Sequence, residues 1–227
     1  MCNHYNRSRS SEVDAYERAV TEAVEKILAN VPAETWGWTK DQMPVVYHGE
    51  KGRTLTTMRW GVWPFYEKVL KSRPVVNARD DALTTKSIWK HSTRHKRCVA
   101  AADGFFEWTG PEGSKWEVLF TLPAQRPFFF GGIWSSDPVG EDRGFAIVTT
   151  APNPTVAEIG HDRTPMILDA EGAKRWIGSE PLPDDQLLAF CQPYAGPFVR
   201  RDLPPPDKRK KITKTDLKAA AGELPLN

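Results

Sequence analysis

Short runs of β-branched and aromatic residues, separated by Gly and Pro, constrain the fold of this chain more than any other feature. Such runs favour extended strands, because these side chains fit a pleated, half-buried surface. Five runs have this character, at residues 45–48, 54–60, 118–122, 128–134 and 145–150. Helical spacing of apolar residues, together with helix start and stop signals, predicts helices at residues 11–30, 81–95, 170–177 and 184–190.

The order of these elements predicts an α+β fold. Strands and helices do not alternate regularly, so a parallel sheet built from repeated βαβ units is not supported. We expect one domain over residues 1–203, with a curled, barrel-like sheet of mixed or antiparallel strands and peripheral helices. Residues 204–227 start Pro-rich and continue basic, which is typical of a flexible C-terminal tail.

Composition disfavours several classes of protein. No apolar stretch approaches the ~20 residues that a membrane-spanning helix needs, and the first ten residues lack the apolar region of a secretory signal. The 3 cysteines, at positions 2, 98 and 191, are too few and too scattered for a disulfide framework or a Cys-x-x-Cys metal site. These features predict a soluble protein of a reducing compartment, and we expect it in the cytoplasm.

The net charge of +2 conceals an uneven distribution of charge along the chain. Residues 1–100 carry 17 Lys and Arg against 11 Asp and Glu, whereas residues 101–200 carry 7 against 14. Within the first part, residues 86–97 contain five Lys or Arg, two His and no acidic residue. Such a run is either a solvated helix face or a surface that collects a polyanion, and the sequence leaves both interpretations open.

Cys2 has the most distinctive chemistry in the chain. Removal of Met1 is expected when the next side chain is small, and it would leave Cys2 with a free α-amine and a thiol on adjacent carbons. Both groups ordinarily titrate within about two units of neutral pH. With an aldehyde, the amine would form a Schiff base and the thiol would close it into a five-membered thiazolidine. The thiol could instead attack an amide with its own amine as base, or the cysteine could be incidental.

Six strings of residues, in order along the chain, resemble one known family. They are MCNHY at residues 1–5, MRWGVWP at 58–64, VNAR at 76–79, RCV at 97–99, DGFFEW at 103–108, and APNP at 151–154 leading to GHDRTPMIL at 160–168. Together they resemble the SRAP family, whose members include bacterial and human abasic-site shield proteins, also described as SOS-response-associated peptidases. The resemblance covers nearly the whole chain.

The resemblance implies a covalent sensor of abasic sites in single-stranded DNA that acts in the DNA damage response. Cys2 would capture the ring-opened aldehyde of an abasic deoxyribose as a thiazolidine, a DNA–protein crosslink that shields the lesion. The family's catalytic roles fall on four positions here, Cys2, Asn77, Glu107 and His161. The resemblance also implies lyase-like Schiff-base chemistry, a cysteine peptidase or hydrolase whose autocatalytic step is the removal of Met1, and a nucleoid location when the protein is on DNA.

The residue types at these positions suit an aldehyde condensation. A histidine such as His161 can both give and take a proton near neutral pH. Glu107 lies in the aromatic run FFEW, whose apolar surroundings should raise the pKa of its carboxyl. The uncharged amide of Asn77 can hold the terminal amine or a sugar hydroxyl. Each residue also has a purely structural interpretation: a core or loop histidine, a solvent-facing glutamate, and a turn or helix-cap asparagine.

Five further residues are implied to contact DNA. Arg79 and Arg163 match the family's phosphate-contacting positions, and a guanidinium suits phosphate oxygens. Trp60 matches the family's tryptophan at the DNA groove and Trp108 follows the catalytic glutamate, so both could stack on bases beside the gap. Pro44, which we expect in a loop after the first helix, is a candidate apolar wedge beside the bases.

Three positions depart from the family pattern. Asn3 and His4 stand where many members have Gly and Arg, which removes the backbone freedom of Gly beside the nucleophile and a phosphate contact. Thr164 stands where Met is frequent. These departures concern affinity and rate rather than the type of reaction.

Two other functions stay open. An N-terminal-nucleophile peptidase would use Cys2, Glu107 and His161, whereas a non-covalent single-strand binder would use only basic residues and tryptophans. We expect no cofactor and no metal, because the histidines show no ligand spacing with Cys or acidic residues. We also expect a monomer whose partner is single-stranded DNA with abasic sites, and no membrane association.

Overall fold

The computed structural model describes residues 4–6, 36–50, 52–64, 66, 73–125, 128–137 and 142–203. The predicted helix at residues 11–30 and the predicted tail at 204–227 therefore lie outside the described residues. In the described part of the chain, no helix is both long enough and apolar enough to cross a membrane.

The described residues form strands and short helices in irregular order. In chain order the strands are β1 (His4–Asn6), β2 (Trp36–Trp38), β3 (Gln42–Gly49), β4 (Gly52–Trp60), β5 (Asn77–Arg79), β6 (Arg97–Ala102), β7 (Gly104–Thr109), β8 (Trp116–Thr121), β9 (Phe128–Ser136), β10 (Arg143–Thr150), β11 (Thr164–Pro165), β12 (Ile167–Leu168) and β13 (Val199–Asp202). The helices are α1 (Ser87–His95), α2 (Pro154–Ala157), α3 (Ala170–Trp176) and α4 (Asp184–Phe190).

These strands build two sheets. Five antiparallel strands form the first sheet, in the order β13-β8-β7-β1-β2. In the second sheet, β10, β4, β3, β6 and β9 follow one another and β9 pairs again with β10, so these five strands form a closed hydrogen-bonded ring. The short strands β5 and β11 pair with β10, and β12 pairs with β9. The predicted α+β class, with a curled mixed sheet and peripheral helices, is confirmed.

Alternation along the ring strands creates two cores. Successive side chains of a strand point to opposite faces, so Val45 of β3 packs with Phe105 and Phe120 of the first sheet. The neighbouring Val46 instead packs in a cluster with residues of the helices, including Trp176 of α3. The first sheet therefore covers one face of the ring sheet and the helices cover the other.

Arg97 joins two helix ends to the ring. Its guanidinium is buried and donates hydrogen bonds to backbone carbonyls at the end of α1. It also donates to Trp176 O at the end of α3, at 2.5 Å, and to Glu180 O and Gly178 O beyond it, at 2.8 and 3.1 Å. Carbonyls at helix ends lack partners within the helix, and this cation satisfies several of them at once. Burial lowers the pKa of Arg97 to about 10, which still leaves the side chain charged at neutral pH.

The structure confirms all five predicted strands and the helices predicted at 170–177 and 184–190, within one residue at most helix ends. Eight of the described strands were not predicted: β1, β2, β5, β6, β7, β11, β12 and β13. Most of these are very short, and the Ala-rich β6 lacks the side chains that favour strands.

The prediction of one helix over residues 81–95 is wrong at its start. Residues Asp80–Ala82 form a single 3-10 turn, Lys86 is extended, and the helix begins at Ser87. In this turn the carboxylate of Asp80 binds Arg163 and that of Asp81 binds Arg79. Neither carboxylate therefore caps the helix.

Pro44 lies in a strand and not in the predicted loop. It is buried in β3 opposite Thr57 of β4. The other edge of β3 pairs with β6 only at Val46 and Tyr47, so the missing N–H of Pro44 costs no hydrogen bond to β6.

Candidate functional site

The loop after α2 brings the two sheets together at the candidate site. At its start, the Thr109 hydroxyl at the end of β7 donates a hydrogen bond to Ile159 O at 3.1 Å. At its end, the Arg163 guanidinium donates to the backbone oxygen of Thr149 in β10. Thr149 lies opposite Arg79 of β5 in the parallel β5–β10 pair. The loop therefore links the strand that carries Glu107 to the strand that carries Asn77.

His161 and Glu107 form the central contact of the site. His161 Nε2 lies 2.7 Å from the carbonyl oxygen of Trp108, and His161 Nδ1 lies 3.4 Å from Glu107 Oε2. A carbonyl only accepts hydrogen bonds, so Nε2 carries a proton. The contact between Nδ1 and Oε2 is favourable when one proton lies on the carboxyl group or on the imidazole. The two side chains are arranged as a proton-sharing pair.

Burial of Glu107 follows from its place in β7. Alternation puts Glu107 on the same face of the strand as Phe105, which belongs to the core, and Glu107 is 1% exposed. Burial raises the pKa of the Glu107 carboxyl, and the positive charges of the chain's amino terminus and of His161 oppose that rise. A carboxyl group that keeps its proton toward neutral pH can act as a general acid.

Asn77 is also held inside the structure. It opens the short strand β5 opposite Ile147 of β10, and it is 8% exposed. The next residue, Ala78, belongs to the core under the helices, so Asn77 faces the opposite side, as Ile147 does. Its amide is therefore fixed on the face of β10 that looks toward the first sheet.

The two candidate phosphate ligands have different surroundings. Arg79 is half-exposed and forms a two-point contact with Asp81, with nitrogen–oxygen distances of 3.1 and 2.7 Å. Arg163 is 8% exposed, and its guanidinium binds Asp80 and Thr149. In this structure Arg79 is accessible to a phosphate, and Arg163 ties the loop to the turn after β5.

The three candidate base-contacting residues also differ. Trp60 is 0% exposed and its indole N–H donates to Val76 O at 2.9 Å, so its ring has no free face in this conformation. Pro44 is buried within β3. Trp108 is only partly buried, so it is the one of these three side chains that can meet a base without rearrangement.

Cys2 lies outside the described residues. The strand that follows it, β1, lies beside β7, with Tyr5 opposite Phe105 and Asn6 opposite Gly104. The two described cysteines are buried, and burial raises the pKa of the Cys98 thiol and raises that of Cys191 to about 12. Neither is a nucleophile at neutral pH.

Three features of the site were not predicted from the sequence: the Asp80 carboxylate that binds Arg163, the contacts of Thr149, and the carbonyl of Trp108 that orients His161. The pair of acidic residues after Arg79 was a visible signal, but its partner is 83 residues away. A backbone carbonyl carries no sequence signal at all. Among the described residues, no group of three or more metal-ligating side chains was found.

Several known proteins are similar to this chain. One from Bacillus subtilis (strain 168), "Abasic site processing protein YoqW", is 31% identical over 157 residues, covering 67% of this chain and 69% of the relative. "Abasic site processing protein YedK" of Escherichia coli (strain K12) is 35% identical over 125 residues, 53% of this chain and 54% of the relative. "Abasic site processing protein HMCES" of Xenopus tropicalis is 28% identical over 168 residues, 62% and 50% of the two chains.

The fold is similar to that of solved structures. A crystal structure of a protein from Bacteroides thetaiotaomicron superposes with a TM-score of 0.73 at 21% identity, covering 89% of this chain and 92% of the other. In sequence, residues 1–201 match the family described as SOS response associated peptidase (SRAP). That match covers most of the 227 residues, and the chain therefore belongs to the SRAP family.

Proposed function

We propose that this protein processes abasic sites in single-stranded DNA by covalent capture through Cys2. The observation that carries the proposal is the proton-sharing pair of Glu107 and His161, which lies beside the strand that follows Cys2. Relatives in bacteria and in a frog are named abasic site processing proteins, and this supports abasic DNA as the substrate.

The register of β1 supports a position of Cys2 near the pair. Because β1 is antiparallel to β7 and Tyr5 lies opposite Phe105, the chain before β1 heads toward the end of β7 that carries Glu107. Consecutive Cα atoms are 3.8 Å apart, so the Cα of Cys2 lies within about 7.6 Å of the Cα of His4.

The proposed reaction needs only the two nucleophiles of Cys2. After Met1 is removed, the α-amine attacks the aldehyde carbon of the ring-opened sugar, and the carbinolamine loses water to form an imine. The thiol then adds to the same carbon, and its proton passes to the nitrogen. One aldehyde and one aminothiol become one thiazolidine and one water molecule.

The described residues would serve the proton transfers of this sequence. Glu107, whose pKa is raised by burial, can donate a proton to the leaving hydroxyl and recover it from the amine. His161 lies with Nδ1 toward Glu107, and a proton on Nδ1 would stabilise the carboxylate once the proton of Glu107 has left. Asn77 offers an uncharged amide that can orient the amine or a sugar hydroxyl.

Intact-mass measurement after incubation with an abasic single-stranded oligonucleotide tests the proposal. The expected product survives SDS and heat and has the summed masses of protein and DNA less one water. Cys2→Ala and acetylation of the α-amine should both abolish it. Cys98→Ala and Cys191→Ala are matched controls that should retain it, because both thiols are buried.

Three results would overturn the proposal in different ways. An adduct that forms equally in Cys2→Ala or in acetylated protein would exclude the thiazolidine. Cleavage of a peptide bond by the Cys2 protein, without DNA present and without an adduct, would indicate an N-terminal-nucleophile peptidase. Salt-reversible binding that Cys2→Ala does not change, with no adduct in the wild type, would indicate a non-covalent binder.

A further inference from the structure

We propose that the exposed face of α1 and the cations that follow it bind the phosphodiester backbone of the DNA strand where it leaves the catalytic site. We call this the α1 basic surface, and it consists of Lys86, Lys90, His91, His95, Lys96 and Arg143. The inference rests on the proposed function for the identity of the polyanion, and it adds a second binding region outside the catalytic pair.

The helix explains why the basic residues of this run share one face. Trp89, Ser92 and Thr93 are the buried residues of α1, whereas Lys90 and His91 are exposed. Residues four apart lie above one another on a helix, and the rings of His91 and His95 are accordingly 5.0 Å apart. The basic residues therefore form a stripe along the outer side of α1.

The charge of this stripe is not neutralised by the described residues. Two arginines of residues 86–97 do not contribute to the charge of this stripe. Arg94 pairs with Asp184 at 2.8 Å, and Arg97 is buried. Among the described residues, Lys86, Lys90 and Lys96 form no ion pair with a carboxylate.

Partial burial lowers the pKa of His91, and the neighbouring positive charges of His95 and Lys96 lower it further. A bound polyanion would offset the repulsion among these groups.

Trp134 extends the surface by holding two cations in place. The Lys96 ammonium lies 5.1 Å and the Arg143 guanidinium 5.0 Å from the centre of its ring. Arg143 also donates a hydrogen bond to the Tyr47 hydroxyl at 2.8 Å, and the Tyr47 and Trp134 rings meet edge to face at 5.3 Å. Cations restrained in this way lose less conformational entropy when a phosphate binds.

The start of α1 is connected to the candidate site by the turn that precedes it. The turn Asp80–Ala82, which precedes α1, binds Arg163 through Asp80. From there α1 extends over nine residues, about 14 Å at 1.5 Å per residue. At its far end the carbonyl of Lys96 accepts a hydrogen bond from Trp134 N at 2.8 Å. In the proposed arrangement the DNA strand runs from the catalytic pair past this turn and along the cations of α1.

Salt-dependent binding of undamaged single-stranded DNA by the full chain tests this inference without using Cys2. The test variant is Lys86→Gln/Lys90→Gln, and the matched control is Lys115→Gln/Arg201→Gln, which also removes two exposed cations. Each lost phosphate contact should reduce the slope of log K against log salt by about 0.7. We expect the test variant to lose about 1.4 from the slope and about tenfold in affinity near 0.1 M salt, with the control unchanged.

Several outcomes would overturn the inference. One is a test variant with the wild-type slope, and another is a control variant that weakens binding as much as the test variant. If polyglutamate displaces the oligonucleotide as effectively as competing single-stranded DNA does, the surface serves an acidic protein partner instead. Thermal unfolding of both variants shows whether they are folded. Adduct formation by the wild type with a short abasic oligonucleotide reports separately on the proposed function.

Discussion

The guanidinium of Arg163 and the carboxylate of Asp80 form an ion pair that spans 83 residues of sequence. Arg163 comes two residues after His161, and Asp80 comes three residues after Asn77. The pair therefore joins the two segments that carry these candidate catalytic residues. Both side chains are largely buried, at 9% and 21% exposed, so water can replace neither partner fully.

Asp80→Asn should destabilise the protein by about 3 kcal/mol, because it leaves a buried arginine without its counter-charge. It should also slow adduct formation, about 100-fold if the loop shifts by about 1 Å. Urea unfolding and the rate of adduct formation measure the two effects. Asp81→Asn is the matched control, since its partner Arg79 is solvent-exposed, and it should leave stability essentially unchanged. Equal stability of the two variants would show that the Asp80 contact does not hold the loop.

Glu107→Gln should slow adduct formation by about 10²–10⁴-fold, the usual contribution of a general acid or base. The amide keeps the size of the side chain but cannot transfer the proton. Quenched-flow or gel measurement of the crosslinking rate checks this. A rate within twofold of the wild type would exclude Glu107 from the proton transfers.

The stability of the same variant should depend on pH in a defined direction. Burial raises the pKa of Glu107 above its ordinary value of 4.5, so the folded protein keeps a proton that the unfolded chain has already lost. Wild-type stability therefore falls, as far as Glu107 contributes, when the pH rises from 4.5 through the folded-state pKa. Glu107→Gln lacks this loss and should gain stability over the wild type as the pH rises. Urea unfolding of both proteins across this range tests the sign, and a constant difference would contradict the shift.

His161 should carry a proton on Nε2 in the folded protein. The Trp108 carbonyl 2.7 Å away can only accept a hydrogen bond, so it selects this tautomer whether or not Nδ1 is also protonated. Long-range ¹H–¹⁵N correlation spectra of the ring distinguish the tautomers. A neutral ring with its proton on Nδ1 would show that the contact with Trp108 is not made in solution.

Thiol alkylation of the folded protein should modify Cys2 well before the other two cysteines. Cys98 and Cys191 are buried and burial raises the pKa of both thiols, so their thiolate fractions are negligible near neutral pH. Peptide mass spectrometry after a short exposure to iodoacetamide measures the order of reaction. Protein unfolded in guanidinium should react at all 3 positions and serves as the control. Early labelling of Cys98 in the folded protein would contradict its burial.

Arg97→Gln should cost about 3 kcal/mol or more of folding free energy, because several carbonyls at the ends of α1 and α3 lose their donor. Arg94→Gln removes the partly exposed ion pair between α1 and Asp184 of α4 and should cost less than about 1 kcal/mol. Comparison of the two unfolding free energies checks the assignment. A smaller loss for Arg97→Gln than for Arg94→Gln would show that Arg97 is not the link between these helices.

Local sequence was a good guide where the physical cause was local. The strands β3, β4, β8, β9 and β10 follow from their β-branched and aromatic residues. The raised pKa of Glu107, predicted from its apolar neighbours in sequence, is caused by burial on the core face of β7. The predicted helix over residues 81–95 started too early. The two acidic residues at its predicted start bind arginines, and one of these arginines is distant in sequence.

The sequence by itself determined the chemistry that this chain can offer: a cysteine at position 2 whose amine the proposed loss of Met1 would free, a carboxyl in an aromatic run and a basic helix. Only the tertiary structure decided which groups meet. It buried Trp60 and Arg163, and it set His161 between Glu107 and the Trp108 carbonyl. The physical reason is that burial and pairing depend on what packs on the other side of a strand, and those partners come from segments more than 50 residues away.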